Sequence, residues 1–393
     1  MCVLVIMYIY YYHIYNMVSY FDNNATTLIY NTKTKQAIKN WISCANPSNV
    51  LHTQGYLAKK EIEMCRYKIS KTINTKLPRE IYFTSGATES NNIIIQGVIK
   101  PNCRIITTSV EHPSIYVLLK KMELIRNIKV TYIIPCIDKS DKQYGTIKID
   151  DIKNAINSSI ERIALITIIH GNNETGAINN ISKIGKLAKQ YNIPFHSDVT
   201  QTMGKYKIDV RKCNLDCISF SGHKFHAPKG IGGMYIKDKF KINNLSFGGD
   251  QEHGLRPGTE NVAFISGMTT ALEISHRNRA HKNKLMRNKI ICIENNIRNK
   301  IVISPSIKYR MPNTLTIILN NMKTDNKRFV QNLSNKYNIC LGIGSACKTM
   351  STNISHVFES LGVSDDNISK ILRISISDYT TWSECKKLIK YLN

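Results

Sequence analysis

Acidic residues are scarce in this chain: 28 Asp and Glu stand against 54 Lys and Arg, giving a formal charge of +26 over 393 residues. Long apolar runs are missing beyond residue 16, which leaves the body without a membrane-spanning helix and makes it read as soluble. The eleven cysteines lack a paired framework, which excludes a disulfide scaffold and favours a reducing, cytoplasmic setting. Cys213 and Cys217 have no second Cys or His pair at zinc-site spacing, so no metal is expected. No zinc finger, RNA-recognition motif or leucine-zipper basic region accompanies the charge, so nucleic acid is a lesser reading of it. The densest basic stretch, His276 to Lys300, carries Leu285, Ile290, Ile291 and Ile297 at near-helical spacing and reads as a helix with one solvated face. The first sixteen residues, MCVLVIMYIYYYHIYN, have neither the basic start nor the cleavage site of a signal peptide and are short for a span. Residues 1–17 are therefore taken as an apolar extension, and no membrane partner is favoured.

What the chain does contain is an α/β pattern from about Asn23 to Gly267. Short β-branched runs such as Arg104–Thr108, Ala164–Ile169 and Cys217–Phe220 alternate with amphipathic segments. These runs lack clean polar alternation, as expected of strands covered on both faces, so a mostly parallel sheet follows. Beyond about Ala271 come a basic helix, strands at Thr314–Leu319 and Ile371–Ser375, and a last helix near Ser383–Leu392. The expected division is 18–270 for a large domain and 271–393 for a smaller α/β domain.

Four segments carry chemistry. Thr84-Ser85-Gly86-Ala87-Thr88-Glu89-Ser90-Asn91-Asn92 follows a strand and opens a helix, where small residues and helix-start N–H groups suit a phosphate; a helix capped by Ser85 or Thr88 fits equally well. His170-Gly171-Asn172-Asn173-Glu174-Thr175-Gly176 stands at a strand end, where such sheets gather ligand contacts. Asp198 also ends a strand, placed to meet a buried cation or to act as a cap. In Ser221-Gly222-His223-Lys224-Phe225-His226 a lysine sits among aromatic rings and histidines, a setting suited to Schiff-base chemistry.

Together with Phe21-Asp22-Asn23-Asn24-Ala25-Thr26-Thr27, Asn46-Pro47-Ser48 and His52, Glu111-His112-Pro113, Gly248 to Glu252, Arg256 to Asn261, Gly344-Ser345-Ala346-Cys347 and Leu372-Arg373-Ile374-Ser375, the set resembles the NifS/IscS-type cysteine desulfurases, class V aminotransferases of fold-type I. The likeness implies a large domain built on a mostly parallel seven-stranded sheet, a smaller C-terminal domain, a pyridoxal 5'-phosphate cofactor and a homodimer. It implies that Lys224 carries the cofactor, that Ala87, Thr88, Ser221 and His223 hold its phosphate, and that Asp198 pairs with the ring nitrogen. It sets His112 over the ring as a proton-transfer group, with Asn173 and Gln201 at the phenolic oxygen and Thr259 reaching the partner's phosphate. Arg373, assisted by Asn173, would clamp the carboxylate of L-cysteine, and Cys347 would take its sulfur as a persulfide. Delivery to an acceptor protein for iron–sulfur clusters, or to a tRNA-modifying enzyme, follows in that family. Selenocysteine lyase or aminotransferase chemistry would use the same Lys224 and Asp198, whereas a transaminase has no need of Cys347. A non-catalytic protein binding nucleic acid or a host factor on this fold is the remaining alternative. Cys347 itself also fits a small buried residue in a glycine-flanked turn. Asp250, His253, Ala227, Ser377 and Val199 depart from the family's usual residues without removing a reacting group.

Overall fold

The computed structural model describes residues 18–344 and 355–393, so the extension 1–17 and the Cys347 position lie outside the described residues. Strand β1 (Ser19–Phe21) opens the described chain, and a seven-stranded sheet follows. Its members are β2 (Ile81–Thr84), β3 (Arg104–Thr108), β4 (Lys129–Ile133), β5 (Ile163–Thr167), β6 (Phe195–Asp198), β7 (Cys217–Ser221) and β8 (Gly232–Ile236). The order across the sheet is β2-β8-β7-β6-β5-β3-β4, and only β8 runs against the rest. Helices cover both faces, which is why β6, β7 and β8 are buried along their whole length.

Strand β8 is the member that its sequence conceals, because Gly232-Gly233 reads as a turn. The sheet needs those glycines: a Cβ on Gly232 would stand 2.5 Å from the Phe220 carbonyl oxygen, and one on Gly233 would stand 2.7 Å from the Phe220 ring.

A three-stranded antiparallel sheet holds β9 (Lys300–Val302), β10 (Thr314–Leu319) and β12 (Ile371–Ser375) in the order β12-β10-β9. Strand β1 leaves the large sheet and pairs in parallel with β11 (Ile339–Leu341), which buries Phe21 in the core beneath this second region. The boundary drawn at 270/271 needs correction, for it falls inside the helix Val262–His276. Ala271 and Leu272 still pack in the main core, and the change of core comes after Asn278, where the helix Arg279–Asn296 begins. That basic helix buries Met286, Ile290 and Ile293, with Ile297 following, rather than Leu285. Ile290 and Ile297 are buried as expected, while Met286 and Ile293 take the places expected of Leu285 and Ile291, because the i, i+4, i+7, i+11 series starts at Met286. Among the described residues no helix is long and apolar enough to cross a membrane.

Candidate active site

Five of the parallel strands deliver their C-terminal ends to one cavity of about 490 Å³. Its wall takes Ser85 to Glu89 after β2, His112 after β3, Ile169 to Asn173 after β5, Asp198, Thr200 and Gln201 at β6, and Ser221 to Lys224 after β7. This is where open α/β sheets bind ligands, since the strand ends and helix starts converge there. The loop Ala25–Thr26 closes one side.

The helix Ala87–Val98 begins at Gly86 with no side chain bonded to its first N–H groups. The capping alternative for Ser85 and Thr88 therefore does not hold. Ser85 N–H is instead bonded to Glu89 Oε2, and Glu89 is paired through Oε1 with Arg256 Nε at 3.0 Å. An uncapped helix start facing a cavity is a ready anion seat.

Lys224 donates from Nζ to the carbonyl oxygens of Asn24 at 2.7 Å and Ala25 at 2.8 Å. The aromatic neighbours expected around it point elsewhere. Phe225 is buried in the main core, and His226 packs against Tyr30 and Tyr379. The amine thus rests on main-chain carbonyls, with the expected histidines His112 and His223 nearby, and Asn24, which supplies one of the carbonyls, stands in a motif that carried no assigned role. Asn24 bonds Thr314 Oγ1 and the Asn173 carbonyl through Nδ2, and its own carbonyl accepts from Gln201 Nε2 at 2.9 Å.

Asp198 is buried, with Oδ1 accepting from Thr200 N–H at 2.9 Å and Oδ2 from Asn91 Nδ2 at 3.1 Å. Beneath it His196 bonds Thr167 and Ser219, and burial pulls its pKa down to about 4, so it is neutral. His223 is likewise held neutral, its pKa lowered to about 3 by burial and by the nearby Lys224 and Lys229. Burial also lowers the pKa of His112, against the opposing pull of Asp198.

The cavity suits a phosphorylated pyridine aldehyde on the residues present. It joins an anion seat, a buried carboxylate and a primary amine, and two polar atoms on its wall, Thr200 Oγ1 and Gln201 Oε1, are buried without a hydrogen-bond partner.

Two expected contacts lie elsewhere. Thr259 is exposed and lines an adjoining cleft with Arg256 and Glu260 that shares Ser85 and Gly230 with the cavity. Arg373 stands behind Asn173 rather than on the cavity wall, with Nη1 on the Asn173 carbonyl at 3.1 Å and Nη2 on Asp22 Oδ1 at 2.6 Å. Its Nε has no partner. Of the departing residues, Asp250 and His253 flank and form the turn at Gln251–Gly254 and do not line the cavity. Glu252 in that turn is structural: it pairs with Arg66 at 2.8 Å and accepts from Phe83 N–H at 2.8 Å. Val199 and Ala227 are core residues.

The sheet order and the strand-end cavity define an α/β enzyme of fold-type I. The chain belongs to the aminotransferase class-V family, whose model matches residues 19–388. It is 32% identical over 383 residues to the cysteine desulfurase IscS of Buchnera aphidicola, covering 94% of this chain and 91% of that protein. It is 33% identical over 366 residues to the cysteine desulfurase IscS of Clostridium botulinum, covering 88% and 86%. Among solved structures it is similar to a NifS-like protein at a TM-score of 0.84 and 31% identity, covering 96% of this chain and 98% of that one. A second similar structure, SspA in complex with cysteine, has a TM-score of 0.77 and 32% identity, covering 92% and 100%.

Proposed function

We propose that this protein is a pyridoxal-phosphate-dependent cysteine desulfurase that converts L-cysteine to L-alanine. The observation that carries the reading is the single cavity into which Lys224, buried Asp198 and the uncapped helix start at Ala87 all open. Pyridoxal phosphate, when bound, supplies an electron sink for charge that develops on a substrate carbon. The chain's own groups do the rest. The first N–H groups of the helix Ala87–Val98, including those of Ala87 and Thr88, hold the phosphate together with Ser221 and His223. Asp198 would hold a proton on the pyridine nitrogen, and Lys224 would supply the amine that anchors the cofactor. Asn173 and Gln201 meet the phenolic oxygen.

Arg373, which stands behind Asn173, would clamp the substrate carboxylate as a planar donor, a role favoured by its unpartnered Nε and its contact with Asn173. Cys347 receives the sulfur as a thiolate and holds it as a persulfide until an acceptor protein or a tRNA-modifying enzyme takes it. The described residues that flank Cys347 favour its reaching the cavity. Ser355 Oγ donates to Glu174 Oε2 at 2.7 Å, while His356 Nε2 meets the Glu111 carbonyl at 2.8 Å and its ring stacks on Tyr116. The first contact is with the loop after β5 and the second with the residue preceding His112.

The working unit in this proposal is a homodimer. Thr259 lines a cleft beside the cavity rather than the cavity itself, and the helix Thr53–Ile73 beside it exposes Tyr56, Leu57, Met64 and Tyr67 along one face. A second copy covering that face gives Thr259 a phosphate to reach.

Incubation of the purified protein with L-cysteine and a reductant should yield alanine and sulfide in equal amounts. Cys347→Ala should keep the yellow absorbance of bound cofactor and release no sulfide, and Lys224→Ala should lose that absorbance. Sulfide release that persists in Cys347→Ala would remove the nucleophile from the proposal, and absence of alanine from the wild type would sink the reaction.

A further inference from the structure

Behind the cavity wall a single amide joins the two groups that face each other across it. Asn91 is wholly buried (0% exposed) on the helix Ala87–Val98, and Ser114 lies in the first turn of the helix Pro113–Arg126. Asn91 Nδ2 donates to Asp198 Oδ2 at 3.1 Å and to Ser114 Oγ at 2.8 Å, while Asn91 Oδ1 accepts from the Ser219 hydroxyl. This orientation is set by chemistry, since an ionised carboxylate only accepts and so the atom turned to Asp198 is the nitrogen. Both protons of the amide are then committed. The Ser114 hydroxyl, which receives one of them, has its own proton left for His112 Nδ1 at 2.8 Å. Ser114 N–H is directed at the same nitrogen at 3.2 Å. A ring nitrogen that faces two donors carries a lone pair, so a neutral His112 keeps its proton on Nε2.

We infer that Asn91 is a positioning residue: its one amide orients the Asp198 carboxylate and, through the Ser114 hydroxyl, fixes His112 as a neutral ring that offers Nε2–H to whatever the cavity holds. The charged and titratable groups facing His112 are Asp198, which favours a protonated ring, and Lys224, His356 and His223, which oppose it. Burial adds to the opposition. The consequence is directional. In this state the ring donates a hydrogen bond from Nε2 and has no lone pair there with which to accept a proton. Protonation has to occur at Nδ1, and that requires the Ser114 donors to give way. This inference concerns the state of a side chain and does not depend on which amino acid is the substrate.

The test is nuclear magnetic resonance of protein labelled with 15N in its histidine rings, with His112 assigned by the signal lost in His112→Gln. The wild type should show the Nε2–H pattern for His112, titrating at low pH. Ser114→Ala and Asn91→Ala should each raise the proton-binding constant of that ring by about tenfold, the size of one hydrogen bond gained or lost, and Ser114→Thr should restore the wild-type curve. An Nδ1–H pattern in the wild type, or an unchanged His112 signal in both alanine variants, would overturn the assignment. A purely structural Asn91 would lower folding stability and leave the ring signal alone. If Asn91→Ala does not fold, the Ser114→Ala and Ser114→Thr pair still decides the outcome.

Discussion

Glu111 is a buried carboxyl next to the site. It is fully buried beside His112, with Oε1 accepting from Thr108 Oγ1 and Ile169 N–H at 2.8 Å each and Oε2 left without a partner. Burial pushes its pKa up to about 8 despite those two bonds, and the charge of Asp198 adds to the rise. A carboxyl whose folded value lies above its unfolded one stabilises the fold at low pH, and that contribution is lost as pH climbs from about 4.5 to about 8. Glu111→Gln, which keeps the Oε1 acceptor and removes the charge, should therefore raise the melting temperature at pH 8.5. The gain should be on the order of a few kcal/mol and should shrink toward nothing at pH 5 when measured by thermal denaturation. At this same scale the groups that the proposal assigns to the chemistry were legible because Lys224, Asp198 and His112 each stand in a distinctive run of residues that carries the family likeness. Asn24, Asn91 and Ser114 were not, since an amide or hydroxyl gains its meaning only from the groups it touches.

Among the elements, β1 departs furthest from the default of packing next to its sequence neighbours. Three residues of strand leave the large sheet to pair with β11, and Phe21 at its end is wholly buried in the second core. Asp22 follows at once and meets Arg373. The strand thus ties the second core to the guanidinium that the proposal assigns to substrate. Phe21→Ala should cost about 3–5 kcal/mol, the usual range for emptying a buried aromatic site. The same variant should weaken saturation by L-cysteine more than turnover; equilibrium denaturation and initial rates check the two parts. Most strands were legible from their β-branched runs, whereas β8 was hidden by two glycines whose necessity lies in the closeness of Phe220.

For the molecule as a whole the charge of +26 and the exposed apolar face pull in different directions. Like charge opposes self-association, so a stable dimer needs apolar area to outweigh it. Tyr56, Leu57, Met64 and Tyr67 fall within one face of the helix Thr53–Ile73, and Leu51 just before it is 96% exposed. Together they form the kind of patch that marks an interface. Met64→Glu with Tyr67→Glu should convert a dimer to a monomer of 44.8 kDa in sedimentation and should loosen cofactor retention at the same time, because Thr259 would then face solvent. A wild type that sediments as a monomer would refute the dimer.

The amino-acid sequence by itself determined the fold class and most of the strands, and through its likeness to a known family it singled out Lys224, Asp198 and His112 as candidate site residues. The strands follow from local chemistry, β-branched runs bounded by turn residues, whereas the site residues were singled out by the motifs that carry the family likeness. Only the tertiary structure decided that Lys224 rests on the Asn24 and Ala25 carbonyls, that Arg373 stands one residue behind the wall, and that Asn91 links Asp198 to His112. Each of these joins residues distant in the chain, and their meeting is set by how strands and helices pack rather than by anything written at either position alone.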